Sequence, residues 1–162
     1  MIIEKLPILL AVLVALAASS RAEISTKYTG LDDFSDFTVS GRSGAKTKGM
    51  FERELARHDI QKLVGDRNLQ LTFTDIDMAG DTQFENLRSA RNVRVVHGPF
   101  PPRLSFSWIL KDANGQTLAS GKEKIKDVGF DLSGRFVKKD YENFFYELRL
   151  LKDWAKKKLP KA

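Results

Sequence analysis

Residues 104–127 read LSFSWILKDANGQTLASGKEKIKD, and this stretch sets the architecture of the chain. Its first part alternates apolar and small polar side chains, the period of a strand with one buried face. The apolar set is Leu104, Phe106, Trp108 and Leu110. DANG, at residues 112–115, supplies the positive-φ residues that a chain reversal needs. The returning strand places Lys122, Lys124 and Lys126 on one side, so we predict a β-hairpin with one solvated face.

The apolar face of this hairpin needs a covering helix, and the C-terminal segment supplies one. Asp140 is a suitable N-cap residue for that helix. Apolar side chains then recur at three- and four-residue spacing, with Trp154 beside them. The stripe consists of Tyr141, Phe144, Phe145, Leu148, Leu151 and Ala155. It predicts a helix docked on the sheet rather than a ligand-binding surface.

Periodicity also predicts the elements of the first half of the chain. FTVS at residues 37–40 alternates like a strand, and MFERELARHDIQKLV at residues 50–64 has helical spacing, with Gly65 as its stop. LQLTFTD at residues 69–75 and VRVV at residues 93–96 predict two further strands. The order is therefore β-α-β-β-β-β-α. We predict an α+β fold in which one mainly antiparallel sheet carries two helices packed on one face.

The stretch TDIDMAG, residues 74–80, ends the second of these strands with two carboxylates. Continuing the alternation of the strand would turn Asp75 and Asp77 toward the core and the apolar Ile76 away from it. The register must therefore shift near Asp75, through a bulge or the end of the strand. A polar connection, AGDTQFENLRSAR, is predicted to follow at residues 79–91.

Asp75 and Asp77 have two interpretations. They could hold a hard cation through oxygen ligands, although such sites need more oxygens than two side chains supply. Alternatively they build a corner, in which one carboxylate caps the turn into residues 79–80 and the other pairs with an arginine, Arg103 being the nearest. We favour the corner. The candidate polar cluster, with a structural or a binding role, comprises Asp75, Asp77, Arg103, Asp127 and Glu147.

The first residues of the chain predict export. One lysine precedes the apolar run Leu6–Ala18, and Ser20 and Ala22 then occupy the small-residue positions of a signal-peptidase site. We expect residues 1–22 to be removed as a signal peptide, because the run is shorter than the ~20 residues that span a bilayer. Residues 23–162 would then form a single α+β domain in the periplasm. The chain has no cysteine, so packing rather than disulfide bonds must stabilise it.

Several classes of site are absent from the sequence. The two histidines, His58 and His97, lie outside any zinc motif. GRSG at residues 41–44 has the wrong spacing for a nucleophile elbow, and the lysines that follow do not form a phosphate loop. We therefore predict no catalytic, cofactor-binding or metal-binding residues and no cofactor.

The formal net charge is +6, and the basic excess concentrates toward the C-terminus. A basic face on the last helix is predicted from Lys152, Lys156, Lys157 and Lys158. Such a face suits anionic lipid, lipopolysaccharide or an acidic partner, although a basic face of this kind is more often simply solvated. Nucleic acid is not expected, because arginines interleaved with aromatic stacking platforms are lacking.

Four motifs together carry a resemblance to a known family. TDIDMAG, PPRLSFSWIL, DANGQTLASGKEKIKD and YELRLLKDWAKKKL resemble the successive motifs of a bacterial secreted family catalogued as domain of unknown function 3016. The resemblance spans nearly all of residues 23–162. It implies secretion and no assigned activity, so it supplies no catalytic residues.

Three classes of function follow. We favour a non-enzymatic periplasmic module that binds an unidentified protein or component of the cell envelope. The first alternative is a cation-dependent enzyme or metal-binding protein that uses Asp75 and Asp77. The second is a peripheral binder of anionic lipid through the basic last helix. The sequence predicts no oligomeric state.

Overall fold

The structure, a computed structural model, describes residues 23–39, 44–84, 92–96, 99–130 and 143–161. The strands in these ranges are β1 Glu23–Tyr28, β2 Asn68–Asp77, β3 Asp81–Phe84, β4 Asn92–Val95, β5 Arg103–Lys111 and β6 Thr117–Lys126. The helices are α1 Ala45–Arg57, α2 Gln61–Val64 and α3 Phe145–Lys158, with a 3-10 turn at Leu31–Asp33. The predicted signal peptide, residues 1–22, lies outside the described residues. No helix within the described ranges is both long and apolar enough to cross a membrane.

The main sheet has four strands in the order β1-β2-β5-β6. The β2–β5 and β5–β6 pairs are antiparallel, whereas β1 runs parallel to β2 because the chain returns through α1 and α2. Strands β3 and β4 form a separate antiparallel pair. The α+β prediction is confirmed, with a mixed rather than a purely antiparallel main sheet.

The first strand is not the predicted one. Residues 37–40 were expected to form it, but the structure places β1 at Glu23–Tyr28. Phe37 and Val39 are buried, and their segment touches the sheet through an isolated bridge from Asp36 to Asp77. Residue 40 lies outside the described residues. Alternation at residues 37–39 thus reflects apolar side chains that a loop inserts into the core.

The helix predicted at residues 50–64 starts earlier and is interrupted. It begins at Ala45, ends at Arg57 and resumes as the short α2, because the backbone of His58 is extended. Gly65, with φ 66°, ends α2 as predicted. The apolar stripe survives the break, since Ile60 and Val64 are fully buried.

The register shift predicted near Asp75 is confirmed. Leu71 and Phe73 are fully buried, the pairing with β5 slips between Phe73 and Asp75, and Ile76 returns to the core. The bulge therefore keeps both aspartates off the core side of β2. The polar connection predicted at residues 79–91 is wrong in part, because it contains β3.

The predicted β5–β6 hairpin is also confirmed. Asp112 accepts hydrogen bonds from the backbone N–H groups of Asn114 and Gln116 at 2.9 and 2.8 Å, and Gly115 has φ 83°. The inward-facing side chains of β5 are all buried. They are Leu104, Phe106, Trp108 and Leu110.

Helices α1 and α3 cover the same face of the main sheet. Phe51 and Leu55 of α1 and Leu148 and Leu151 of α3 are buried in one continuous core with the inward side chains of β2 and β5. This confirms that the last helix is docked through its apolar stripe. The predicted start of that helix is wrong: α3 begins at Phe145, and Phe144, with φ 67°, occupies the N-cap position that was predicted for Asp140. Asp140 and Tyr141 themselves lie outside the described residues.

Candidate functional site

The polar cluster forms where β2 ends. Asp77 lies directly opposite Arg103 on β5, and their side chains form an ion pair at 3.2 Å. Arg103 is the partner that the sequence suggested. Burial raises the pKa of Asp77, while Arg103 opposes that rise and the neighbouring Asp75 adds to it. The pair is partly open to water, since the Arg103 side chain is 46% exposed.

Asp75 does not cap the turn into residues 79–80, contrary to expectation. Its carboxylate accepts hydrogen bonds from the backbone N–H and the hydroxyl of Ser35, at 2.7 and 3.0 Å. The bulge turns Asp75 to the outer side of the sheet, where the loop after β1 passes. Asp75 therefore fastens that loop to the sheet.

The turn is instead held by Glu147 from the first turn of α3. The backbone N–H of Ala79 donates to the Glu147 carboxylate at 2.7 Å, and the N–H of Gly80 donates to the carbonyl of Phe100 at 2.8 Å. Glu147 is only 2% exposed. Burial raises the pKa of the Glu147 carboxyl, and the Ala79 hydrogen bond opposes that rise. This carboxyl docks the N-terminus of α3 on the corner.

Arg94, which sequence reasoning missed, joins the remaining parts of the corner. Its guanidinium binds both carboxylate oxygens of Asp36, at 2.8 and 2.9 Å, and donates to the carbonyls of Thr38 and Ala79. Backbone hydrogen bonds also join Asp36 to residues 76 and 78 of β2 and the turn. A bidentate pair of this kind fixes orientation as well as distance. The sequence did contain a signal for this role, because Arg94 is a charged residue within the otherwise apolar segment VRVV.

Asp127 belongs to a different pair. It binds the guanidinium of Arg149 at 2.9 Å and accepts from the backbone N–H of Gly129 at 3.1 Å. Among the described residues, no hydrogen bond or ion pair links it to Asp77. The structure therefore joins Asp77 to Arg103 and Glu147 to the turn, but it does not gather all five predicted residues into one site.

The described residues contain no group of three or more histidine, cysteine or acidic side chains placed to hold a metal ion. His97 lies outside those residues. His58 accepts a hydrogen bond from the Ile60 N–H at 3.4 Å and helps to line an open cleft of about 370 Å³ between α1 and α3. Glu54, Arg57 and Phe145 also line this cleft, which therefore mixes both charges with an apolar wall.

Comparison with known proteins assigns the chain to a family. The model of the family described as "Protein of unknown function (DUF3016)" matches residues 22–157. The chain belongs to this family. No curated protein matches it significantly. The crystal structure of a minor lipoprotein from Acinetobacter baumannii is similar over 85% of this chain and 87% of that one, with 11% identity and a TM-score of 0.24. A similarity of that size supports no inference.

In this member of the DUF3016 family, the predicted basic face of the last helix is largely neutralised. Lys152 pairs with Asp59 at 3.3 Å, Lys156 with Asp153 at 3.5 Å, and Lys158 with Glu123 at 3.8 Å. Within the described residues, Lys157 alone of the four lacks an ion pair. The lysines of α3 therefore supply little unpaired positive charge, and most of that charge lies elsewhere on the surface.

Replacing the buried carboxyl group of Glu147 with a carboxamide tests the role of its charge. Because burial raises the pKa of Glu147, the folded chain binds that proton more tightly than the unfolded chain does. The free energy of unfolding should then fall as the pH rises from the ordinary glutamate pKa through the raised one. Glu147→Gln keeps an oxygen for the Ala79 N–H and removes the charge. We expect the variant to lose this slope and to exceed the wild type in stability at pH 7.

Urea unfolding at a series of pH values measures this difference, with the exposed Glu23→Gln as the control. A Glu147→Gln variant that is less stable than the wild type at pH 7 would contradict the interpretation. It would mean that the carboxylate gains more from the helix N-terminus and from Arg94 than it loses by burial.

Asp77→Asn tests the corner against a cation site. We expect a loss of about 1 kcal/mol or less, because the Arg103 partner is half-exposed. Millimolar Ca²⁺ or Mg²⁺ should leave the melting temperature of the wild type unchanged, since Asp75 and Asp77 already have protein partners. A metal-dependent rise of several degrees that either Asp75→Asn or Asp77→Asn abolishes would establish a cation site instead.

Proposed function

We propose that this DUF3016 protein is exported to the periplasm and acts there by binding an envelope component, not by catalysis. The binding surface is the open face of the main sheet, which is the side of β1, β2, β5 and β6 opposite α1 and α3. The observation that supports this is the one-sided packing of the fold. Helices α1 and α3 both lie on one face, while the side chains on the other face of β5 and β6 are half-buried or exposed. A broad polar face of this kind is suited to contact with a second surface.

The chemistry of the corner is consistent with a binding role. The carboxylates of Asp36, Asp75, Asp77 and Glu147 each accept a hydrogen bond from the protein itself, and the two arginines beside them are paired. Groups occupied in this way stabilise the fold and position its elements. The corner therefore supports the frame that holds the open face.

Site-specific photo-crosslinking in living cells tests this proposal. A photoreactive residue in place of Ser107, at the centre of the open face, should capture an envelope component. The same residue in place of Ala56, which is exposed on α1, should capture much less. Equal capture from the two positions would contradict a binding role for the open face.

Export is tested separately. N-terminal sequencing of the protein in the periplasmic fraction should begin at Glu23. An intact Met1 in the membrane pellet would show that the leader is retained.

A further inference from the structure

The open face carries a row of three lysines along β6. Lys122, Lys124 and Lys126 are exposed and lie on the side of the sheet opposite the core. Alternate residues of a strand are about 7 Å apart, so the row extends over about 14 Å. None of the three forms an ion pair within the described part of the chain. The row is therefore a regular array of available positive charge.

The rest of the open face extends this charge. Lys27 on β1 and Lys111 on β5 lie on the same side, since they pair with Thr72 and Asn68 on the outer side of β2. With Arg103, the face holds six basic side chains. The acidic side chains on the four strands of this face are Glu23, Asp75 and Asp77. Asp77 is paired with Arg103, and Asp75 accepts hydrogen bonds from Ser35, so the net charge of the face is positive.

The side chains between the lysines are short. Ser105 and Ser107 lie beside Lys124 and Lys122 across the strand pair, and Thr72 lies beside Ser107. The longer lysine side chains therefore rise above a shallow polar floor. A face built in this way presents ammonium groups to a flat surface rather than a pocket to a small ligand.

The aromatic side chains of these strands face the core and are therefore not placed to stack on the bases of a nucleic acid. Phe73, Phe106 and Trp108 all point into the core, so the described part of the open face has no ring on which a base could stack. Ile109 is half-buried among polar neighbours near its centre, and Leu118 is the one large apolar side chain of these four strands that is exposed. This composition favours electrostatic contact without insertion of the protein into hydrocarbon.

We infer that the open face binds the anionic headgroups of a phospholipid bilayer, with the Lys122–Lys124–Lys126 row as its main contact. This inference rests on the proposed binding function and names the partner class. Basic side chains close to an anionic membrane each add to the attraction, and the attraction falls as salt screens the charges. Lysines also protect an edge strand from pairing with other sheets, so solubility alone does not test the inference.

Vesicle cosedimentation of the exported protein tests it. The wild type should bind phosphatidylglycerol vesicles at low salt and be released from them at high salt. It should not bind phosphatidylcholine vesicles. The combined variant Lys122→Ser, Lys124→Ser and Lys126→Ser should lose affinity about a hundredfold, since each lysine near the surface contributes roughly a factor of five. Circular dichroism verifies that the variant is folded.

The matched control removes the same charge from the predicted basic face of α3. It combines Lys156→Ser, Lys157→Ser and Lys158→Ser, and it should retain most of the binding. Equal losses in the two variants would show that net charge alone matters, and the inference would be wrong. It would also be wrong if the wild type did not prefer phosphatidylglycerol.

The vesicle and crosslinking results separate the inference from the function on which it rests. If vesicles do not bind but the crosslinker at Ser107 captures a protein, the partner is a protein; the lipid inference fails and the binding function stands. If neither experiment shows contact at this face, both proposals fail.

Discussion

Phe51→Ala should lower the free energy of unfolding by about 3–5 kcal/mol. Phe51 is fully buried, and its ring meets those of Phe37, Phe73 and Phe144 edge-on at centroid distances of 5.8, 5.7 and 5.2 Å. Those partners come from the loop after β1, from β2 and from the start of α3. Truncation therefore removes contacts that join α1 to three other parts of the core.

Urea unfolding of the wild type and the variant measures this loss. Arg53→Ala, an exposed change on the same helix, should alter stability by less than about 0.5 kcal/mol. Equal effects of the two substitutions would mean that α1 is not docked on the sheet through Phe51.

The elements that the sequence predicted best are those whose pattern is local. The β5–β6 hairpin combines strict alternation with a turn sequence, and the β2 bulge follows from the apolar side chains on either side of Asp75. The pairing of Asp77 with Arg103 then depends on neighbouring strands in register. Information within a few residues was enough to predict the hairpin and the bulge.

The missed features depend on packing between distant segments. Strand β1 has few large apolar side chains, and it is a strand because β2 pairs with it in parallel. The Ala79–Glu147 and Arg94–Asp36 contacts join residues 68 and 58 positions apart. Alternation at residues 37–39 looked like a strand because burial of Phe37 and Val39 leaves the same pattern in a loop.

The prediction of a basic face has the same limit, because ion pairs between distant segments are not visible in the sequence. The lysines of the C-terminal segment are dense in sequence, but carboxylates from α3 itself, from β6 and from the α1–α2 connection pair with three of them. The β6 lysines are spaced by the period of a strand and share one face. Counting charges along the chain therefore pointed to α3, whereas counting them on each face of the sheet points to β6.

Gly80→Ala should be the most disruptive substitution in the TDIDMAG stretch. Gly80 has φ 82°, a conformation that costs an L-residue about 1–2 kcal/mol. A Cβ atom there would also clash with the carbonyl oxygen of Val95 and lie 2.7 Å from the Cα of Val96. Both atoms belong to the backbone, so relief requires the β4 segment to move away from the turn.

That movement would carry Arg94 away from Asp36 and Ala79. An arginine–carboxylate pair that is mostly buried is expensive to break, because a charge remains without its partner. We therefore expect Gly80→Ala to destabilise the protein by about 3 kcal/mol or more, the sum of the backbone cost and the loss of this pair. Thermal and urea unfolding measure the effect.

Gly115→Ala supplies the matched control for the steric part of this argument. Gly115 has nearly the same φ, 83°, but a Cβ atom there would meet nothing within 4 Å. Its substitution should cost only the backbone term, about 1–2 kcal/mol. The difference between the two variants then measures the close approach of β4 to the turn. If both lost the same stability, the Arg94 strand would not be seated on the TDIDMAG corner.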